Sequence, residues 1–195
     1  MSQRDRIRGH FAASIETQQS AATQLVEPIS RAGQVILDAL LNGRKTMSCG
    51  NGRAAASAQH FSANMLNRFE RDRPALPAIA LNADTAALTA IARDFDHSQV
   101  FAKQIRALGQ SGDVLLAINT GGPSGNIGAA IEAAHDRDCL VIALTGEADE
   151  ALAGLLAERD VEIRAPSRST ARCHEIHLLA IHCLCDLIDA QLLGE

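Results

Sequence analysis

Apolar and polar positions alternate along the chain in two distinct rhythms. Near the start Ile7, Phe11 and Ile15 recur at four-residue spacing, which predicts a helix from about Arg4 to Gln24 with one apolar stripe. Pro28 suits the first turn of a second helix, which carries Ile29, Val35, Ile36, Leu40 and Leu41 and stops at Asn42-Gly43. The rhythm then shortens. Lys45–Cys49, Ala78–Leu81, Asp113–Ile118, Cys139–Leu144 and Val161–Arg164 read as five strands, and the middle three are near-continuous apolar runs, as in parallel strands covered on both faces. Helical spacing returns between them, over about Ala54–Asn67, Thr85–Arg93, Ser98–Leu108, Asn126–Asp136 and Glu150–Ala157. A last long helix covers about Ser169–Leu192. Strand and helix in alternation predict an α/β fold, a doubly wound five-stranded parallel sheet flanked by helices. Residues 1–43 supply N-terminal helices and 44–195 the sheet domain, with no repeat or linker to divide them.

Composition narrows the function. The 195 residues suffice for one domain with a sizeable core, 47% are hydrophobic, and Trp and Tyr are absent. A net charge of −5 with no basic run disfavours direct nucleic-acid binding, and there are no aromatic platforms for single strands. No apolar stretch approaches the ~20 residues of a membrane span, and no signal-peptide core follows Met1, so a cytoplasmic location is expected. The five cysteines sit mostly in apolar runs and read as reduced, buried thiols.

Two strand ends carry the candidate chemistry, because ligands of open parallel sheets bind beyond the carboxyl ends of the strands. The loop Cys49-Gly50-Asn51-Gly52-Arg53 runs straight into a helix, whose free amides and dipole suit an anion. Asn119-Thr120-Gly121-Gly122-Pro123-Ser124 adds hydroxyls and amides before another helix. Together they suggest a phosphorylated ligand, although ordinary strand-to-helix turns favour the same residues. His60 falls about two turns into the helix after the first loop, and His174, His177 and His182 fall on the last helix. His174 and His177 share a face. His174 and His182 are roughly 12 Å apart along the axis at 1.5 Å per residue, so one ion does not easily take both from one helix.

These residues also carry a resemblance. Gly50-Asn51-Gly52 followed by Ala58-Gln59-His60 resembles the GNGGSAADAQH motif of the phosphoheptose isomerases, SIS-domain enzymes acting on sedoheptulose 7-phosphate. Asn119–Asn126 resembles their STSGNSxN loop, and Arg73–Leu81, Ala171–His177 and His182–Asp189 extend the match over almost the whole chain. The resemblance implies an SIS domain of flavodoxin-like topology and a homotetramer with sites between subunits, its N-terminal helices helping to build the core. It implies ligand contacts at Gly50, Asn51, Gly52, Arg53, Asn119, Thr120, Gly121 and Ser124, and His182 as the catalytic histidine of any isomerase. It also implies a possible zinc set of His60, His174 and His182 beside Asn64.

The departures are informative. The position of the family's catalytic glutamate is Asn64, Arg53-Ala54 replaces a Gly-Ser, two loop serines are Asn119 and Gly121, and Pro123 stiffens the loop. Ketose–aldose isomerisation needs a base and an acid, and an amide is neither. A sister branch, the DnaA initiator-associating proteins, shares the missing glutamate and binds DnaA as a tetrameric scaffold. The segment Ala58–Glu70 resembles that branch, and Leu192-Leu193 falls where its partner-binding apolar pair lies. The expectation is therefore a DnaA-binding homotetramer without isomerase activity. A phosphoheptose isomerase and a non-catalytic sugar-phosphate sensor are the alternatives.

Overall fold

A computed structural model describes residues 1–122 and 124–194. Pro123, expected to stiffen the second loop, lies outside the described residues. The elements run α1 (Gln3–Gln24), α2 (Val26–Leu41), β1 (Thr46–Gly50), α3 (Arg53–Leu66), β2 (Ala78–Ala80), α4 (Thr85–Asp94), a 3-10 turn (His97–Gln99), α5 (Ala102–Leu108), β3 (Val114–Ile118), α6 (Gly125–Asp136), β4 (Leu140–Gly146), α7 (Glu150–Ala153), β5 (Val161–Ala165) and α8 (Thr170–Leu193).

All four strand pairings are parallel and the order is β2-β1-β3-β4-β5. The order reverses between β1 and β3, so the two loops singled out in the sequence open at one switch point, where α/β sheets bind ligands. Side chains of β3 alternate between two apolar layers. Val114, Leu116 and Ile118 join the cluster built with α2, α3 and α8, while Leu115 and Ala117 join the cluster built with α5 and α6. This is the doubly wound α/β sheet expected from the continuous apolar runs.

Local departures have local causes. The second helix begins at Val26, two residues before Pro28; the proline sits in the first turn, where its missing N–H costs no helical bond. The segment expected as one helix over Ser98–Leu108 is a 3-10 turn followed by α5. Asp96 starts that turn by accepting from Ser98 N–H at 2.7 Å. The helix expected over Glu150–Ala157 ends at Ala153, because Gly154 follows and Ala157 N–H is captured by Asp160 Oδ2 at 2.8 Å.

Two helices depart from what their patterns suggest. In α1 only Ala21 is buried, and the stripe Ile7, Phe11 and Ile15 is 58%, 69% and 54% exposed. The stripe lies outside this chain's own core. α8 is long and apolar enough to cross a membrane by length and composition, with a mean hydropathy of 1.6. This revises the reading that no segment approaches a span. Cys173, Ile176, Ala180, Ile181, Leu184, Cys185 and Ile188 bury that apolarity against the sheet and α2, as in a core helix.

Candidate functional site

Only Asn51 and Gly52 separate the end of β1 from the start of α3. So abrupt a turn depends on its glycines. A Cβ on Gly50 would lie 2.7 Å from the Ala54 backbone, and Gly52 takes a φ of +55°. Asn82, just beyond β2, braces the turn by mimicking a strand neighbour. Gly50 N–H donates to its Oδ1 at 3.2 Å, and its Nδ2 donates to the Gly50 carbonyl at 2.8 Å.

The second loop follows β3. Asn119 N–H continues the ladder to the Leu144 carbonyl at 2.9 Å. The Asn119 side chain, expected at the ligand, turns inward. Its Nδ2 donates to Asp149 Oδ1 at 2.8 Å, while Gly146 N–H donates to Asp149 Oδ2 at 2.8 Å. Asp149 thus ties the ends of β3 and β4 together. Gly121 and Gly122 take φ values of 103° and 96°, and α6 starts after Ser124, whose side chain makes no capping bond.

The loops are joined by a reciprocal amide pair. Asn51 Nδ2 donates to Asn126 Oδ1 at 2.7 Å, and Asn126 Nδ2 donates to Asn51 Oδ1 at 2.9 Å. The amide of Asn51 is therefore committed to the second loop. A third helix start adjoins them, since a Cβ on Gly121 would meet Thr170 Cγ2 at 3.3 Å. The starts of α3, α6 and α8 thus adjoin one another, and free helix N-termini suit an anion. Arg53 is exposed at the first residue of α3. His174 lies near enough that, after burial, the Arg53 charge is the next cause lowering its pKa, with Glu175 opposing.

The histidines sort into separate roles. His60 Nε2 and His182 Nε2 are 3.0 Å apart, bridging α3 and α8. Asn64 Nδ2 is 3.3 Å from His60 Nε2. Burial, and then the charge of His182, lower the His60 pKa. His177 stands apart, fully buried. Its Nε2 is 2.8 Å from the Thr145 carbonyl and its Nδ1 has no partner among the described residues, and burial pushes its pKa down to about 4. Among the described residues no three His, Cys, Asp or Glu side chains gather round one point. His60, His174 and His182 thus do not converge within one chain, while His60 and His182 offer two adjacent imidazoles to a metal.

At the C-terminus Leu192 packs half-buried against the core and Leu193 is 36% exposed. Sequence reasoning overlooked Asn82, Asp149 and the pairing role of Asn126. It also overlooked His97, which borders a cleft of about 320 Å³ behind the first loop. The only available signals were an asparagine directly after an apolar run, for Asn82, and the closing residue of the second motif, for Asn126.

Comparison with known proteins agrees with this geometry. Residues 10–146 match the SIS domain model. The chain is 57% identical to a phosphoheptose isomerase of Alkalilimnicola ehrlichii, over 100% of this chain and 99% of the relative. It is 58% identical to a DnaA initiator-associating protein DiaA of Yersinia enterocolitica, over 96% of each. Among solved structures, phosphoheptose isomerase GmhA from Neisseria gonorrhoeae superposes with a TM-score of 0.92 at 46% identity, covering 97% of this chain and 100% of that one.

Proposed function

This chain belongs to the SIS-domain family, and from that premise we propose that it is a DnaA-binding scaffold that holds a sugar phosphate in its cleft without isomerising it. The observation that carries the reading is Asn64, whose amide nitrogen faces His60 Nε2 at 3.3 Å. Aldose–ketose isomerisation moves a proton between neighbouring carbons, so a group at this position must take a proton and return it. A carboxylate does so; a primary amide at neutral pH does not. The anion-binding parts persist, in the amides of the two loops, the hydroxyls of Thr120 and Ser124, and Arg53 at the start of α3.

The scaffold is a homotetramer in this reading. Support comes from the exposed stripe of α1 and from an apolar groove of about 510 Å³ between α1, α2 and α8, lined by Ala21, Leu25, Ile29, Ile176, Leu179 and Leu187 among others. Leu193, with Leu192 behind it, is the proposed contact for DnaA.

A second reading is favoured by one contact. His60 and His182 at 3.0 Å form a pair able to pass a proton between α3 and α8, so an isomerase driven by His182 is the alternative. Sedoheptulose 7-phosphate separates the two. The scaffold reading expects no turnover above a heat-killed control, together with retention of DnaA on the immobilised tetramer. Turnover abolished by His182→Ala would overturn it in favour of the isomerase. Loss of DnaA retention in an intact tetramer would remove the partner.

A further inference from the structure

The segment between α3 and β2 ends in Arg73-Pro74-Ala75-Leu76-Pro77, a stretch that the site described above does not use. Within it the Arg73 side chain is heavily bonded. Its Nη2 donates to the Asn64 carbonyl at 2.8 Å and its Nη1 to the Met65 carbonyl at 2.9 Å, so the guanidinium caps the last turn of α3. Its Nε donates to Asp189 Oδ1 on α8 at 2.5 Å. The two side chains are 1% and 3% exposed. The other carboxylate oxygen, Asp189 Oδ2, is buried with no partner among the described residues, so the carboxylate depends on this arginine.

The helical spacing connects this ion pair to the histidines. His60 lies one turn before Asn64 on α3, and His182 lies seven residues before Asp189 on α8, two turns back on nearly the same face. The two helices are thus held at two levels, by Arg73–Asp189 and by His60–His182. The same segment delivers Phe69, whose ring is tilted over His182 with centroids 5.5 Å apart. Leu76 N–H donates to the Met65 carbonyl at 3.0 Å, closing the segment back onto α3.

We propose that residues 67–77 form a strap in which Arg73 and Asp189 are positioning residues, setting the α3–α8 spacing that brings His60 Nε2 and His182 Nε2 into contact. A lysine would keep the charge without the fork that reaches two carbonyls and a carboxylate together. The inference rests on the two histidines belonging to the cleft, and it requires no substrate, metal or DnaA. Failure of the scaffold reading therefore leaves it intact, and its own failure leaves that reading intact.

The test uses the full chain, unliganded, as Arg73→Lys and Asp189→Asn. In each, the crystal structure gives the Nε2–Nε2 separation and the imidazole ¹⁵N spectrum reports proton sharing, with His135 as a remote control. The expected result is a separation beyond about 3.5 Å, outside hydrogen-bond reach, with His60 and His182 resonances displaced and those of His135 unchanged. Folded variants that keep both the separation and the His60 and His182 resonances would overturn the proposal. If neither variant folds, the crystal structure of Phe69→Leu decides: a His60–His182 Nε2 separation beyond about 3.5 Å supports the strap, and an unchanged one overturns it.

Discussion

Asn51 and Asn126 exchange two hydrogen bonds, at 2.7 and 2.9 Å, across the mouth of the cleft. Each amide satisfies the other, so the turn after β1 and the first residues of α6 are held as one unit. The two loops are therefore mechanically coupled, although 75 residues separate the pair along the chain.

Removing either partner should show that coupling. Asn126→Ala leaves Asn51 without its partner and is expected to cost about 1–2 kcal/mol. In a double-mutant cycle Asn51→Ala with Asn126→Ala should be markedly less destabilising than the sum of the singles. Denaturant unfolding of the four proteins measures it; strictly additive values would mean that the pair does not act as a unit.

Gly50→Ala should be disproportionately harmful for so small a change. The new methyl lies 2.7 Å from the carbonyl carbon and oxygen of Ala54, which are backbone atoms unable to rotate away. We expect about 1–3 kcal/mol of destabilisation and weaker retention of sedoheptulose 7-phosphate, read by calorimetry. Gly43→Ala serves as comparison: its site is open space, so only the cost of its φ of +69° applies.

Asn64→Glu restores a carboxylate beside His60. The nearby negative charge should raise the His60 pKa, reversing the present direction, which burial and His182 set. Turnover of sedoheptulose 7-phosphate should appear or increase. A folded variant with an unchanged His60 titration by NMR would show that position 64 does not reach the ring electrostatically.

His177 gives the fold a pH dependence of definite sign. Its folded pKa of about 4 lies below the unfolded value near 6.5, so the unfolded chain binds the extra proton. The stability that His177 contributes is full above about pH 6.5 and is lost as pH falls toward 4, by about 3 kcal/mol. Urea unfolding at a series of pH values should show the decline. His177→Gln should flatten it while lowering stability at pH 7.5.

The thiols should react in order of burial. Burial pushes Cys49 and Cys185 up to about 12 and Cys139 up to about 11, so these should resist a thiol reagent in the native protein. Cys183, half-buried and lining the groove between α1, α2 and α8, should label first once that groove is uncovered by dissociating the tetramer. Native labelling of Cys49 at the rate of Cys183 would contradict the packing under β1.

Much of this protein is determined by its sequence alone. Continuous apolar runs such as Val114–Ile118 identify buried parallel strands because both faces of such a strand must be covered. The Gly50-Asn51-Gly52 turn marks a strand that becomes a helix within two residues, which few other residues permit sterically. The family motifs follow the same positions. Tertiary structure decided where polar side chains spend their hydrogen bonds. Asn51 and Asn119 both read as ligand contacts, yet one pairs with Asn126 and the other with Asp149. Of the four candidate histidines, His60 and His182 meet at 3.0 Å, while His177 bonds to the Thr145 carbonyl instead. The spacing of Ile7, Phe11 and Ile15 predicts the helix α1, and the structure leaves that stripe exposed. Hydrophobic periodicity is a local, additive property of the chain. Hydrogen-bond partnership depends on distances between segments tens of residues apart, and only packing of the helices on the sheet fixes those.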